Sequence, residues 1–248
     1  MPASPRAPRL ALPLDDLRAA LEATVVRGRG STWLAAGVAL LISWWIYVPI
    51  HELAHAFGCL WAGGEVSRLE IAPRYGASLL QRLFPWVVVG SDYAGRLAGF
   101  NTRGNDLIYL VTVAAPFLLT ILVGVPLLRA VPAWRHRPLA PAIMLGLALP
   151  VALAPIVSLT GDYYEMGSIL VSRIIAFGRP SFVLARWRSD DLLALVRERF
   201  GAGGGGGMED ALGILASFLV GVALAWLTYA LGAAWSGVVV RRARSTEP

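Results

Sequence analysis

Between positions 31 and 64 the chain reads STWLAAGVALLISWWIYVPIHELAHAFGCLWAGG, with Glu52 as its one formal charge. A helix needs about 20 mostly apolar residues to cross the hydrocarbon core of a bilayer. This stretch is long enough to do so. As one helix rising about 1.5 Å per residue it would exceed the ~30 Å core, which predicts that it tilts, projects or kinks near Pro49.

Three further stretches, residues 107–128, 139–161 and 211–240, contain no Arg, Asp or Glu, and the chain has no Lys. The composition agrees: 56% of residues are apolar and 15% are charged, whereas soluble domains carry about 25% charged residues. The predicted fold class is therefore an all-α integral membrane protein with about four transmembrane helices. Their predicted positions are 31–64, 107–128, 139–175 and 211–240.

The segment between the first two predicted helices, residues 65–95, has a different character. Residues 65–71 read EVSRLEI and alternate imperfectly, and the apolar stretch FPWVVV at 84–89 is too short to span a bilayer. We therefore predict a small membrane-associated β element here. It can dip into the bilayer only where protein or a water-filled cavity satisfies its backbone.

The remaining segments are polar. The arm at residues 1–30 is predicted to hold a short helix on the membrane surface, with a disordered arm as the alternative, and it is too polar for a cleavable signal peptide. Residues 176–210 are predicted to form an interfacial helix after Ser189, followed by a flexible glycine spacer at 203–207. Residues 241–248 form a basic tail.

All 22 basic residues are Arg, and the formal net charge is +6. Eleven Arg lie on each side of the predicted helices, so the positive-inside rule predicts no orientation. Scattered Arg argue against a nucleic-acid partner, and the lack of Lys excludes a Walker-type nucleotide loop. The lipid bilayer is the expected partner. The Arg-only, Ala- and Gly-rich composition favours a GC-rich bacterium, and hence its plasma membrane.

The first predicted helix contains His51-Glu52-Leu53-Ala54-His55, the H-E-x-x-H pattern. This spacing places two imidazoles on one helical face, one turn apart, where both can bind a single Zn²⁺ ion. Glu52 can accept a proton from metal-bound water. An ionisable group at membrane depth is expensive, which favours a functional interpretation.

Other interpretations of these residues remain open. His51 and His55 can instead hydrogen-bond neighbouring helices, with Glu52 protonated or paired with an Arg. The single Cys59 excludes an internal disulfide. It lies one turn after His55 and can add a thiolate, although a buried packing role is favoured. His136 lies in a predicted loop between two Arg and is set aside.

A catalytic zinc site usually needs a third protein ligand. Asp162 and Glu165 are spaced i, i+3, so on a helix both point roughly the same way. Asp162 is favoured as the third ligand and Glu165 is the alternative. Both can also be an interfacial acidic pair facing Arg173 or Arg179.

The order of elements over residues 31–175 resembles the site-2 proteases, the intramembrane zinc metalloproteases. In that family the third ligand is an Asp followed by Gly, whereas here Tyr163 follows Asp162. The resemblance implies that zinc-bound water, activated by Glu52, hydrolyses a peptide bond in or near a transmembrane segment of a membrane-protein substrate. An extended substrate is expected to pair with an edge strand, for which residues 65–71 are the candidate.

Two other functions remain open. One is a non-catalytic membrane protein, either a transporter or channel subunit or a protease-like scaffold, since paired ionisable groups in helices also relay ions. The absence of a visible inverted repeat argues against transport. The other is a different helical membrane metalloprotease that uses Glu165 as its third ligand.

Overall fold

The computed structural model describes residues 10–25, 30–175 and 186–245. The chain is mostly helical, with one small sheet. The helices are α1 (Leu12–Val25), α2 (Gly30–Trp61), α3 (Ala77–Leu83), α4 (Asp106–Ala114), α5 (Phe117–Leu119), α6 (Val125–Ala130), α7 (Ala140–Ala152), α8 (Ala154–Val157), α9 (Asp162–Ile175), α10 (Leu192–Phe200) and α11 (Met208–Ser245). The strands are β1 (Glu65–Ile71), β2 (Val87–Val89) and β3 (Gly95–Asn101).

Two compact units make up the chain. One comprises Met1–Trp44, Leu119–Leu153 and Trp226–Pro248, and the other comprises Trp45–Leu118 and Ala154–Ala225. In the first unit α1 buries Ala20, and the Tyr229 hydroxyl donates a hydrogen bond to Asp16 at 3.1 Å. The predicted helix in the N-terminal arm is therefore present.

Within the described residues, three helical segments are long and apolar enough to cross a membrane: Gly30–Trp61, Phe117–Trp134 and Met208–Val239. The first is one continuous helix that contains Pro49. The predicted helix at 107–128 is helical over most of its length, with a turn after α4 and a π-helical turn at Thr120–Gly124. These features agree with a helical membrane protein.

The prediction of one continuous helix at 139–175 is wrong, because this region forms α7, α8 and α9 with breaks between them. Pro155 has no N–H to bond the carbonyl of Val151, four residues earlier. The Thr120 hydroxyl donates to that carbonyl instead, at 2.7 Å. The second break, at residues 158–161, places Asp162 at the start of α9.

The sheet confirms the predicted β element at Glu65–Ile71. Its strand order is β2-β1-β3, with β2 parallel and β3 antiparallel to β1. Leu69 and Ile71 are fully buried and share one core cluster with Val48 and Ala56 of α2. The sheet is therefore packed on the helix that carries the H-E-x-x-H motif.

The prediction that residues 65–71 offer a free edge is wrong. β1 is the central strand, since Leu69 pairs with Val87 on one side and Leu97 on the other. The edges of the sheet are β2 and β3. The predicted β element ends at residue 95 and does not include β3, because Gly95 and Gly99 are weak strand formers.

The predicted helix in the loop before the last span is present as α10. It begins after Asp191, whose side chain accepts a hydrogen bond from Ala194 N at 2.9 Å, and not directly after Ser189. The glycine segment at 203–207 is hydrogen-bonded to the residues before it: Gly206 N donates to Arg199 O of α10, and Gly204 N donates to Gly201 O. The helix α11 extends through most of the predicted basic tail. Residues 176–185 lie outside the described residues.

Candidate metal centre

The two histidines of the motif lie on the face of α2 predicted from their spacing. Both are buried, and their Nε2 atoms are 3.2 Å apart. The rings meet nearly edge to face, with centroids 4.8 Å apart. One turn of helix therefore brings two imidazole nitrogens to a common point.

Each ring is oriented through its other nitrogen. His55 Nδ1 lies 2.9 Å from the carbonyl oxygen of Thr112 on α4, and His51 Nδ1 lies 2.8 Å from the Tyr47 hydroxyl. A carbonyl oxygen only accepts, so His55 Nδ1 carries the proton and, in the neutral ring, Nε2 presents a lone pair. The alternative that the histidines hydrogen-bond neighbouring helices holds for His55, whose Nδ1 bonds to α4, but not for His51, whose partner Tyr47 lies on α2 itself. In both residues Nε2 is left directed toward the common point.

Asp162 completes the group. Its Oδ2 is 3.3 Å from His51 Nε2, and its Oδ1 is 3.6 Å from His55 Nε2. One ligand atom from each of the three residues lies within 4.8 Å of the others. A tetrahedral ion with bonds of about 2.0–2.1 Å would separate its ligand atoms by about 3.3 Å. The spacing therefore fits a metal ion.

The electrostatics of the three side chains also favour a metal ion between them. In the neutral form of the His55 ring, the Nε2 lone pair converges with the oxygens of a carboxylate, and acceptors placed this close repel one another unless a proton or a cation lies among them. A single metal ion would satisfy all three side chains at once. The group of His51, His55 and Asp162 can therefore bind a metal.

Glu165 is not brought to this group. It is buried on α9 and accepts a hydrogen bond from the Tyr109 hydroxyl on α4. Asp162 faces the histidines rather than Arg173, which is exposed, and Arg179 lies outside the described residues. The structure therefore separates the two acids that the sequence left as alternatives.

Glu52 lies beside the ligand group rather than in it. Its side chain packs against Gly95, the first residue of β3, and a Cβ at that position would lie 2.9 Å from Glu52 Cδ. An edge strand of the sheet thus begins next to the carboxyl group of the motif.

Aromatic rings border the histidines. The buried Phe117 ring meets His51 edge to face at 5.7 Å and packs against the fully buried Tyr163 at 4.3 Å. Tyr163, which directly follows Asp162, is therefore a packing residue at the site. Sequence reasoning missed Phe117, Thr112 and Gly95, which carried no local signal. Tyr47, one helical turn before His51, was detectable from its spacing.

The two remaining candidates lie outside the group. Cys59 is fully buried, with its Sγ 3.6 Å from the carbonyl oxygen of Glu65, which confirms the packing interpretation. His136 is exposed in the loop before α7.

The segment before α10, together with the first residue of α10, makes hydrogen bonds to α9 and to the turn that precedes it. Arg188 makes two hydrogen bonds to Asp106 at 2.7 and 2.9 Å and one to Ser172 of α9 at 2.8 Å. Leu192 N donates to Thr160 O at 2.8 Å, just before α9. The hydrogen bonds from Arg188 hold the pKa of the Asp106 carboxyl below its ordinary value.

Comparison of this chain with models of protein families, with curated proteins and with solved structures finds no match.

Proposed function

We propose that this chain is an intramembrane zinc metalloendopeptidase that hydrolyses a peptide bond in or near a transmembrane segment of a protein substrate. The observation that carries the proposal is the convergence of His51, His55 and Asp162 on one point, 3.2–3.6 Å apart. Two of them belong to a helix long and apolar enough to span a membrane. The Arg-only, Ala- and Gly-rich composition favours a bacterial plasma membrane as the location of this chain.

The donor set fits zinc. Neutral imidazole nitrogens and one carboxylate are ligands that Zn²⁺ takes in catalytic sites, where a fourth position stays open for water. When bound there, zinc would polarise the scissile carbonyl and acidify a water molecule. The three ligands come from two elements, α2 and α9, so folding assembles the site.

Glu52 acts as the general base and then as the general acid. Its carboxylate takes a proton from the attacking water as the new C–O bond forms, and it returns that proton to the leaving amine as the C–N bond breaks. Proton and charge therefore balance without a covalent acyl-enzyme. Packing against Gly95 restricts the positions that the Glu52 side chain can take.

The sheet offers a way to hold an unwound substrate. The carbonyls of a transmembrane helix are bonded within the helix, so a substrate must become extended before it is attacked. In the described sheet β3 pairs only with β1, so its other edge can accept a strand. Because β3 begins beside Glu52, it replaces residues 65–71 as the proposed docking edge.

The first test measures zinc per chain in detergent-purified protein. The parent is expected to hold about one zinc, Asp162→Asn to lose it, and Glu165→Gln to keep it. If careful preparation of the parent yields no zinc, the proposal is wrong. If Glu165→Gln alone loses zinc, Glu165 is the ligand and the different class of metalloprotease is favoured.

The second test separates catalysis from metal binding. Glu52→Gln keeps the shape of the side chain but removes the base, so it is expected to retain zinc and lose cleavage of a reconstituted transmembrane substrate. Cleavage by this variant at the parent rate would contradict the mechanism. Zinc without cleavage in the parent would favour the non-catalytic scaffold.

A further inference from the structure

The helix α4 contacts both elements that supply the metal ligands. The carbonyl oxygen of Thr112 on α4 lies 2.9 Å from His55 Nδ1 of α2. Tyr109, three residues earlier on α4, donates its hydroxyl hydrogen bond to Glu165 of α9. Residues three apart are neighbours on one helical face. One face of α4 therefore bonds to His55 and to the helix that carries Asp162.

Glu165 is poorly placed to bind the metal or to reach a substrate. Its carboxyl is buried, lies outside the ligand group, and follows Asp162 by about one turn of α9. The Phe100 ring packs on Tyr109 with centroids 5.4 Å apart, which restricts the phenol from the side of β3. The bond between Tyr109 and Glu165 is thus a buried polar contact that sets how the first turn of α9 sits against α4.

We infer that Tyr109 and Glu165 are positioning residues, which hold Asp162 at coordinating distance from His51 and His55. The inference rests on the proposed metal centre. Coordinating groups need to be held to within about 0.5 Å. A backbone carbonyl of α4 orients His55, and a side-chain bond from the same helix aligns the helix of Asp162, so the relative position of the ligands depends on this pair.

The conservative variant distinguishes this role from coordination. In Glu165→Gln the amide oxygen still accepts the Tyr109 hydrogen bond, whereas the anionic oxygen that a metal would prefer is gone. If Glu165 is a positioning residue, metal binding is therefore kept in Glu165→Gln and weakened in Glu165→Ala. If Glu165 is a ligand, both variants lose metal binding.

The experiment titrates Co²⁺ alone into metal-free protein in detergent and follows the affinity by competition with a chelator and the geometry by visible absorption. The variants are Tyr109→Phe, Glu165→Gln and Glu165→Ala. Tyr229→Phe is the matched control, because it also removes a tyrosine hydrogen bond to a carboxylate, that of Asp16. Thermal unfolding of the metal-free proteins shows whether each variant is folded.

Tyr109→Phe and Glu165→Ala are expected to bind Co²⁺ about 10- to 100-fold more weakly, the usual cost of losing a group that orients a ligand, with an altered absorption spectrum. Glu165→Gln and Tyr229→Phe are expected to match the parent in both measurements. Parent-like affinity and spectrum in Tyr109→Phe would overturn the inference, as would loss of binding in Glu165→Gln. Failure of the parent itself to bind Co²⁺ would overturn the proposed metal centre. That result is distinct from the two variant outcomes, which bear only on the role of Tyr109 and Glu165.

Discussion

His55 Nδ1 lies 2.9 Å from the backbone carbonyl oxygen of Thr112, whereas His51 Nδ1 is oriented by a side chain, the Tyr47 hydroxyl at 2.8 Å. A side-chain substitution can therefore remove the hydrogen-bond partner of one of the two histidines but not that of the other. No side-chain substitution deletes a carbonyl, but one substitution removes the partner of His51.

Tyr47→Phe is expected to lower zinc affinity by about 10- to 100-fold, because the His51 ring loses the bond that fixes its rotation. Thr112→Val is the control: the Thr112 hydroxyl bonds the Ile108 carbonyl within α4, and the bond to His55 is kept. The zinc affinities of both variants are measured by competition with a chelator. Equal affinity in Tyr47→Phe and Thr112→Val would contradict the role of the hydroxyl.

Gly95→Ala is expected to reduce the cleavage rate about 100-fold while zinc content stays at the parent level. The new methyl group would overlap the Glu52 side chain, and a displacement of about 1 Å in a catalytic group can cost that much. Cleavage of a reconstituted substrate and zinc content are measured together. Gly205→Ala, where an added Cβ meets nothing within 4 Å, controls for the loss of glycine itself. A parent-like rate in Gly95→Ala would show that Glu52 is free to move away.

The Asp106–Arg188 pair predicts a loss of stability in acid. The folded-state pKa of Asp106 lies below its ordinary value because Arg188 hydrogen-bonds the carboxylate. This stabilisation is present above the unfolded pKa of about 4 and is lost as the pH falls from there through the folded pKa. Thermal unfolding at pH 7 and pH 3 is the measurement.

Asp106→Asn should be less stable than the parent at pH 7, by about 1 kcal/mol. It should lose less stability than the parent on acidification, since position 106 no longer carries a carboxylate that can be protonated. An equal loss of stability in acid for the parent and for Asp106→Asn would show that the Asp106–Arg188 pair is not the source of the acid sensitivity. Asp190→Asn is the comparison, because its ion pair with Arg96 is about half exposed and should contribute little.

Gly167→Leu is expected to prevent stable folding. A Cβ at Gly167 would lie 2.9 Å from the backbone nitrogen of Gly221 and would also overlap Ser217, so α9 and α11 approach closely only because this residue is small. Gly161→Ala, whose Cβ would meet its neighbours at ordinary contact distance, should be tolerated. The yield of folded protein and its unfolding temperature test this. Normal yield and stability in Gly167→Leu would show that folding does not depend on the close approach of α9 and α11 at this residue.

Features with a local signal were predictable. The helix at Gly30–Trp61 followed from a long uncharged run, and strand β1 from its alternation between glycines and a proline. The shared face of His51 and His55 needed only the helical repeat. The sequence favours Asp162 over Glu165 as the third ligand but leaves both open, because either acid can face inward from one helix.

Features that depend on contacts distant in sequence were not predictable. The break after α7 is tolerated because the Thr120 hydroxyl bonds the Val151 carbonyl. β3 forms although it contains Gly95 and Gly99, because β1 supplies its hydrogen bonds. The phenol of Tyr109 reaches Glu165 from 56 residues away. None of these partners is visible in a local pattern.

The amino-acid sequence alone determined a helical membrane protein with a pair of imidazoles one turn apart and a carboxyl group beside them. It could do so because apolar length and helical period are properties of a single segment. Only the tertiary structure decided which acid joins the histidines, which strand lies at the edge beside Glu52, and how α4 contacts both His55 and Glu165. These outcomes depend on packing between segments, where burial and hydrogen-bond geometry select one arrangement among several that local preferences allow equally.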